Sequence, residues 1–156
     1  MRKSLPILIG IVVVVTSQWL FFGRIGLWGA TPDVVLLYVM LTAVRHGQIE
    51  GALTGFVSGF ALDAIYGLWG INMFIKTLIG FLIGFLNAIN SQVFERSVNR
   101  VVELTLLVSL THNGLLVLFA LLQEATDTGY LILSVCLGGT LYTAFIAFLA
   151  VIFWRR

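Results

Sequence analysis

Residues 48–84 read QIEGALTGFVSGFALDAIYGLWGINMFIKTLIGFLIG, and the spacing of a few residues in this stretch decides what kind of chain this is. Gly51, Gly55, Gly59 and Asp63 follow one another at intervals of four. After the turn Gly67-Leu68-Trp69-Gly70 come Lys76, Gly80 and Gly84 at the same interval. Residues four apart lie on one face of a helix, so the stretch predicts two helices joined by a tight turn, each carrying a stripe of small residues. The apolar runs are too long and too uniform for the alternating strands of a barrel. Small residues let helix backbones approach closely, which matters most in lipid, where apolar burial gives helices no incentive to associate. Reflection about the turn sets Gly59 level with Gly80, Gly55 with Gly84 and Asp63 with Lys76. A four-residue repeat also drifts around a helix of 3.6 residues per turn. The glycine faces can therefore serve each other, another helix of the chain, or a partner, a second copy included.

Composition extends this reading to all 156 residues, of which 60% are hydrophobic and 10% charged, with a mean hydropathy of +1.06. A water-facing domain of this length normally carries about 25% charged residues, so most of the outer surface must meet lipid. A crossing takes about 20 apolar residues, which allows about six crossings and leaves nothing over. The expectation is a single all-α transmembrane domain over 1–156. The net charge of +2 does not point to nucleic acid, because the basic residues fall where membrane orientation wants them. Cys136 is the single cysteine and has no internal disulfide partner. The apolar run after Met1-Arg2-Lys3-Ser4 ends in Trp19-Leu20-Phe21-Phe22 without a small-x-small cleavage pattern, as an uncleaved first helix would.

Six spans are expected: Pro6–Phe22, Pro32–Arg45, Gln48–Tyr66, Gly70–Ile89, Val101–Leu122 and Tyr130–Trp154. With both termini cytoplasmic, Arg2, Lys3, Arg45, Arg96, Arg100, Arg155 and Arg156 fall inside; of the nine basic residues only Arg24 and Lys76 do not. That is the positive-inside bias. Asp33, Asp63, Glu124 and Asp127 fall at the outer side. Trp28 and Trp69 are placed at the outer interface and Trp154 at the inner one, where amphipathic rings settle. The second span, of about 14 residues or roughly 21 Å, is short for a core of about 30 Å. It should be shielded by its neighbours or meet thinned lipid. Thr31 can cap it, Pro32 suits a first helical position, and Asp33 suits the positive end of the dipole.

Asp63 and Lys76 would each cost on the order of 3 kcal/mol alone in mid-membrane. Asp63 also ends a helix, where the dipole disfavours negative charge. A direct pair would relieve both, and function restored in an Asp63→Lys, Lys76→Asp swap would mark it; the alternative is that both reach the outer interface. Asn72, His112 and Asn113 are the remaining intramembrane polar candidates, with Thr140, Tyr142 and Thr143 at comparable depth. A single His without a clear carboxylate favours hydrogen bonding between helices over proton relay. His46 and His112 lie on different segments, and no His, Cys and Glu cluster has metal-ligand spacing, so no metal or cofactor is expected. No phosphate loop and no nucleophile with a base can be drawn, so an enzyme is not expected.

From Pro32 to about Gly84 the chain resembles the MreD family of rod shape-determining proteins. The matching residues are Pro32-Asp33, Tyr38, Gly51, Gly55-Phe56, Gly59, Asp63 and Gly70-Ile71-Asn72. The turn Ala64-Ile65-Tyr66-Gly67-Leu68-Trp69 departs from the polar or proline-containing turn of the family, and Lys76 is not part of the resemblance. The resemblance implies a non-catalytic scaffold in the bacterial inner membrane, part of the elongasome that directs side-wall peptidoglycan synthesis. Its partner would be MreC, a single-span protein with a large periplasmic domain, with more distant links to MreB and to RodA and its transpeptidase. It also implies the six-helix bundle of vitamin-transporter S components. The alternative function is accordingly a substrate-binding subunit of a small-molecule uptake transporter, with Asn72, His112, Asn113 and Tyr142 lining its pocket.

Overall fold

Helices α1 to α5 cover Ser4–Ser17, Val34–His46, Gln48–Tyr66, Ile71–Arg96 and Val98–Leu122. The short α6 (Thr128–Tyr130) runs through a π-helical stretch, Leu131–Gly138, into α7 (Gly139–Trp154). A second π-helical turn, Gln18–Phe22, extends α1. These elements belong to a computed structural model that describes the backbone of residues 4–27, 29–68, 70–96, 98–123 and 128–154. Side chains are described there except at 4, 87–96, 128 and 154. The expectations for Arg2, Lys3, Trp28, Trp69, Glu124, Asp127, Arg155 and Arg156, and for the side chains of Arg96 and Trp154, lie outside the described residues. Among those residues the fold is helical, with one isolated antiparallel bridge between Leu27 and Ala30.

Three helical stretches, Leu5–Phe22, Val98–Leu122 and Leu131–Phe153, are long and apolar enough to cross a membrane, and Val34–His46 and Ile71–Leu86 are shorter apolar helices. The distribution of side chains shows which solvent the surface was built for. On α3, Gly51, Thr54, Gly55, Ser58, Gly59, Leu62 and Asp63 are buried, while Ile49, Leu53, Phe56, Val57 and Phe60 point outward. On α5 the buried side carries Thr105, Ser109, His112 and Asn113, and Leu107, Leu110, Leu118 and Leu122 are exposed. Water would sort these residues the other way round, because exposing a large aliphatic side chain costs about 1.5–3 kcal/mol. In a hydrocarbon solvent that cost vanishes, and the hydroxyls and amides are the groups that must be hidden. Most hydroxyls are satisfied within their own helix: Thr54, Ser58, Thr77, Thr105, Ser134 and Thr143 each donate to the carbonyl four residues earlier.

The chain divides into two compact units. The first comprises Met1–Phe21 and Val34–Ser91. Its apolar centre is Ile11 and Val15 of α1, Val35 of α2 and Leu62 of α3, flanked by Ile7, Val14, Tyr38 and Ala61. Gly10 leaves room on α1 for the Tyr38 ring, whose hydroxyl donates to the Ile7 carbonyl at 3.1 Å. α2 begins at Val34, so Pro32 precedes the helix instead of opening it. Its first amide is satisfied from elsewhere, since Val34 N–H donates to Oε1 of buried Gln18 at 2.9 Å. The 13 residues of α2 make about 20 Å of helix, too short to cross alone. The burial of Val35, Leu36, Val39, Met40, Thr42, Ala43 and Val44 supplies the shielding that its length demands.

α3 ends where Gly67 adopts the left-handed conformation (φ +69°), its N–H bonded to the Asp63 carbonyl. Nothing lies within 4 Å of a Cβ built on Gly67, so only the backbone conformation opposes a side chain there. Gly67→Ala should therefore cost about 1 kcal/mol, read as a small fall in the thermal unfolding midpoint in detergent.

The second unit comprises Phe22–Asp33 and Gln92–Arg156, with α5 packed against α7 and the π-helical stretch. Gly29 makes room for the Tyr130 hydroxyl, and Gly138 sits against Ala30, so the 22–33 segment is held on the α6–α7 side of this unit.

Candidate functional site

The site begins with the small-residue seam between α3 and α4. A Cβ on Gly51 would lie 2.5 Å from the Gly80 carbonyl oxygen, and one on Gly59 2.5 Å from Met73 Cα. A Cβ on Gly55 would run into the Lys76 carbonyl, one on Gly80 into the Gly51 carbonyl, and one on Gly84 into the backbone of Gln48. Backbone therefore meets backbone along the seam, and at Gly51 Ala43 of α2 comes equally close. The register differs from simple reflection about the turn. Gly80 is level with Gly51, not Gly59, and Gly84 lies against Gly47 and Gln48, not Gly55. This is a displacement of about one helical turn on each helix.

Asp63 causes the displacement. Its carbonyl accepts from the amides of Gly67 and Leu68, which closes the C-terminus of α3. Its carboxylate accepts from the backbone amides of Asn72 and Met73 at 3.1 and 2.9 Å and from Asn72 Nδ2 at 3.0 Å. The chain from Gly67 to Gly70 thus runs back alongside the last turn of α3, and α4 starts level with Asp63. The dipole conflict expected for an aspartate ending a helix is answered by the same contacts. The carboxylate turns from the negative end of α3 to the positive end of α4, where free N–H groups await an acceptor. Asn72 is buried beside it, and Lys76, one turn further along the same face of α4, is completely buried.

A second polar cluster lies in the other unit. His112 and Asn113 are buried on α5 and Thr140 and Thr143 on α7. Asn113 Nδ2 donates to Thr140 Oγ1 at 3.2 Å, and the Thr140 hydroxyl donates to the Cys136 carbonyl. Asn113 Oδ1 faces His112 Nδ1 at 3.2 Å. Asp33 donates its amide to Thr143 Oγ1 at 3.0 Å, and its Oδ2 lies 3.8 Å from His112 Nε2. His112 therefore has the carboxylate neighbour that its own segment did not reveal. The π-helical register of 131–138 prepares the cluster. The Gly139 amide is shared between the Ser134 and Cys136 carbonyls, and Gly139 lets Asn113 and the Thr31 carbonyl approach α7 closely. Among the described residues, no three His, Cys, Asp or Glu side chains converge as a metal site.

Of the residues singled out from sequence, the structure brings together Asp63 with Asn72, the five glycines with the opposing backbones, and Asp33 with His112 and Asn113. Gln18, the cap of α2, was missed. An amide in an otherwise apolar run was its signal.

Buried polar faces, outward apolar faces and helices of crossing length define an α-helical membrane protein. The chain belongs to the MreD family: the family model described as rod shape-determining protein MreD matches residues 1–153. It is thus a rod-shape-determining membrane protein. No curated protein and no solved structure gives a significant match.

Proposed function

We propose that the chain is a non-catalytic scaffold subunit of the elongasome. It is one polytopic domain crossing the inner membrane six times, with both termini cytoplasmic and an S-component-like bundle, and it holds the transmembrane helix of an MreC-type partner. The family match over residues 1–153 carries this reading. The geometry supports a docking place on the outward apolar faces. The glycine stripes are filled from within the chain, by α3, α4 and Ala43 of α2, so the partner meets the outward apolar faces, where Phe56 and Phe60 on α3 and Phe81 and Phe85 on α4 are exposed. MreB and RodA with its transpeptidase are engaged through that partner.

The test is site-specific photocrosslinking in the native host. A photoreactive residue at Phe56, Phe60 or Phe81 should capture a single-span protein with a periplasmic domain, and the same protein should accompany the chain through detergent purification. Loss of the gene should convert rods to spheres. Rods that persist without the gene, together with an ATPase module as the co-purifying partner, would replace the scaffold by an uptake-transporter subunit.

A further inference from the structure

Leu131–Gly138 keeps eight residues in π-helical form, whereas π-helix normally appears as a single turn and often marks a functional place. Bonding five residues apart instead of four lets the run absorb about one residue more than an α-helix between the same two ends. Each residue turns an α-helix by about 100°, so the extra residue decides which way the two ends face. Two contacts set those ends. Before the run, the Tyr130 hydroxyl lies against Gly29; after it, Thr140 Oγ1 accepts from Asn113 Nδ2 at 3.2 Å. Were the same residues to wind as an α-helix while Thr140 stayed with Asn113, Tyr130 would turn about 100° away from Gly29. Little opposes that rewinding. The Ser134 hydroxyl donates to the Tyr130 carbonyl and the Thr140 hydroxyl to the Cys136 carbonyl. Both carbonyls thus keep a donor whatever the backbone register, in a medium without water to supply one. At the junction the Gly139 amide is divided between the Ser134 and Cys136 carbonyls, five and three residues back. Apart from Ser134 and Cys136 the run is aliphatic or glycine, so turning it exchanges one apolar side chain for another at the lipid face.

We propose that Leu131–Gly138 is a register latch for the 22–33 segment. In the π register Tyr130 and Gly138 hold the segment, through Gly29 and Ala30. In the α register Tyr130 turns away and the middle of the segment comes free, while Asn113 keeps α7 on α5. The segment carries the exposed side chains of Ile25 and Leu27, so release repositions an apolar surface without parting the helices behind it. A partner that binds the freed segment better than the held one draws the run into the α register.

Deletion of Val135 tests the extra residue, because Val135 lies between the two hydroxyl contacts and its loss leaves both spaced by four. The shortened run should wind as an α-helix with Tyr130 and Thr140 still facing their partners, so the unfolding midpoint of the full chain in detergent should hold or rise. Deletion of Leu106, in the regular part of α5 ahead of Ser109, His112 and Asn113, turns that buried face by about 100° and should lower the midpoint by many degrees. Equal losses overturn the extra residue. The latch is read in lipid nanodiscs by pulsed EPR, with spin labels on Ile25→Cys and Leu122→Cys in a Cys136→Ser background. The full-length run should give two distances, and the Val135 deletion only the one that matches the held segment. A single distance from the full-length run overturns the latch, and that measurement stands even if the deletion variant fails to fold. Two distances that persist in the deletion variant overturn it as well.

Discussion

Gly55→Leu should abolish the α3–α4 hairpin, and Gly55→Ala should already weaken it. A single methyl at this position would lie 2.5 Å from the Lys76 carbonyl carbon and 2.8 Å from the Thr77 amide nitrogen. Both are backbone atoms in the middle of a helix, with no rotamer through which to yield. The helices would have to separate by about 1 Å to restore ordinary contact, and separation at Gly55 also opens the contacts at Gly51 and Gly59. Overpacking of this kind costs about 1–3 kcal/mol for one methyl group, and the Leu side chain has nowhere to go at all. The control is Gly114→Ala on α5, where nothing lies within 4 Å of the new Cβ. There the helix should gain about 0.5–1 kcal/mol from the better helix former. Thermal unfolding in detergent separates the two, because the midpoint should fall for Gly55→Ala and hold or rise for Gly114→Ala. Equal responses would mean that the glycine seam is not a tight contact. The contrast is a strict one, since both substitutions add the same methyl group to an apolar helix.

The elements themselves were largely legible because lipid leaves few options. A long apolar run must be a helix, and α3 occupies the same Gln48–Tyr66 that its glycine spacing and flanks indicated. The four-residue glycine repeat announced close packing for the same reason, since little else fits a stripe without side chains. What sequence could not give was register, because that depends on where one carboxylate finds hydrogen donors. Reflection about the turn treats the two helices as equals, whereas Asp63 draws the start of α4 back alongside the end of α3. The Asp33–His112 approach was hidden for a related reason: the two residues are far apart along the chain, and neither segment names the other. Leu131–Gly138 reads as an ordinary apolar helix, and nothing in its composition signals the π-helical register that brings Thr140 under Asn113. Helix existence is dictated by the solvent, and polar pairing by tertiary geometry that the solvent does not specify.

Asp63→Ala should be the most damaging single change in the turn region, because one side chain secures the beginning of α4 while its own carbonyl closes α3. Removing the carboxylate leaves the amides of Asn72 and Met73 and the Asn72 side chain without the acceptor they now share. A buried donor stripped of its partner costs about 1–3 kcal/mol, and two backbone donors are affected at once. Asp63 and Asn72 are both buried, so water is not at hand to replace the lost acceptor. Asp63→Asn should recover part of the loss, since its one amide oxygen can serve one donor while its NH2 faces the other. The reciprocal exchange Asp63→Lys with Lys76→Asp should fail whatever Lys76 contacts, because an ammonium at 63 can donate but cannot accept. The expected order of unfolding midpoints in detergent is wild type, then Asp63→Asn, then Asp63→Ala together with the exchange. The same order should hold for the fraction of rod-shaped cells when each variant replaces the chromosomal copy. An exchange variant as stable as wild type would show that position 63 needs an opposite charge on α4. An exchange that ranks with alanine would show that it needs an acceptor for the first amides of that helix.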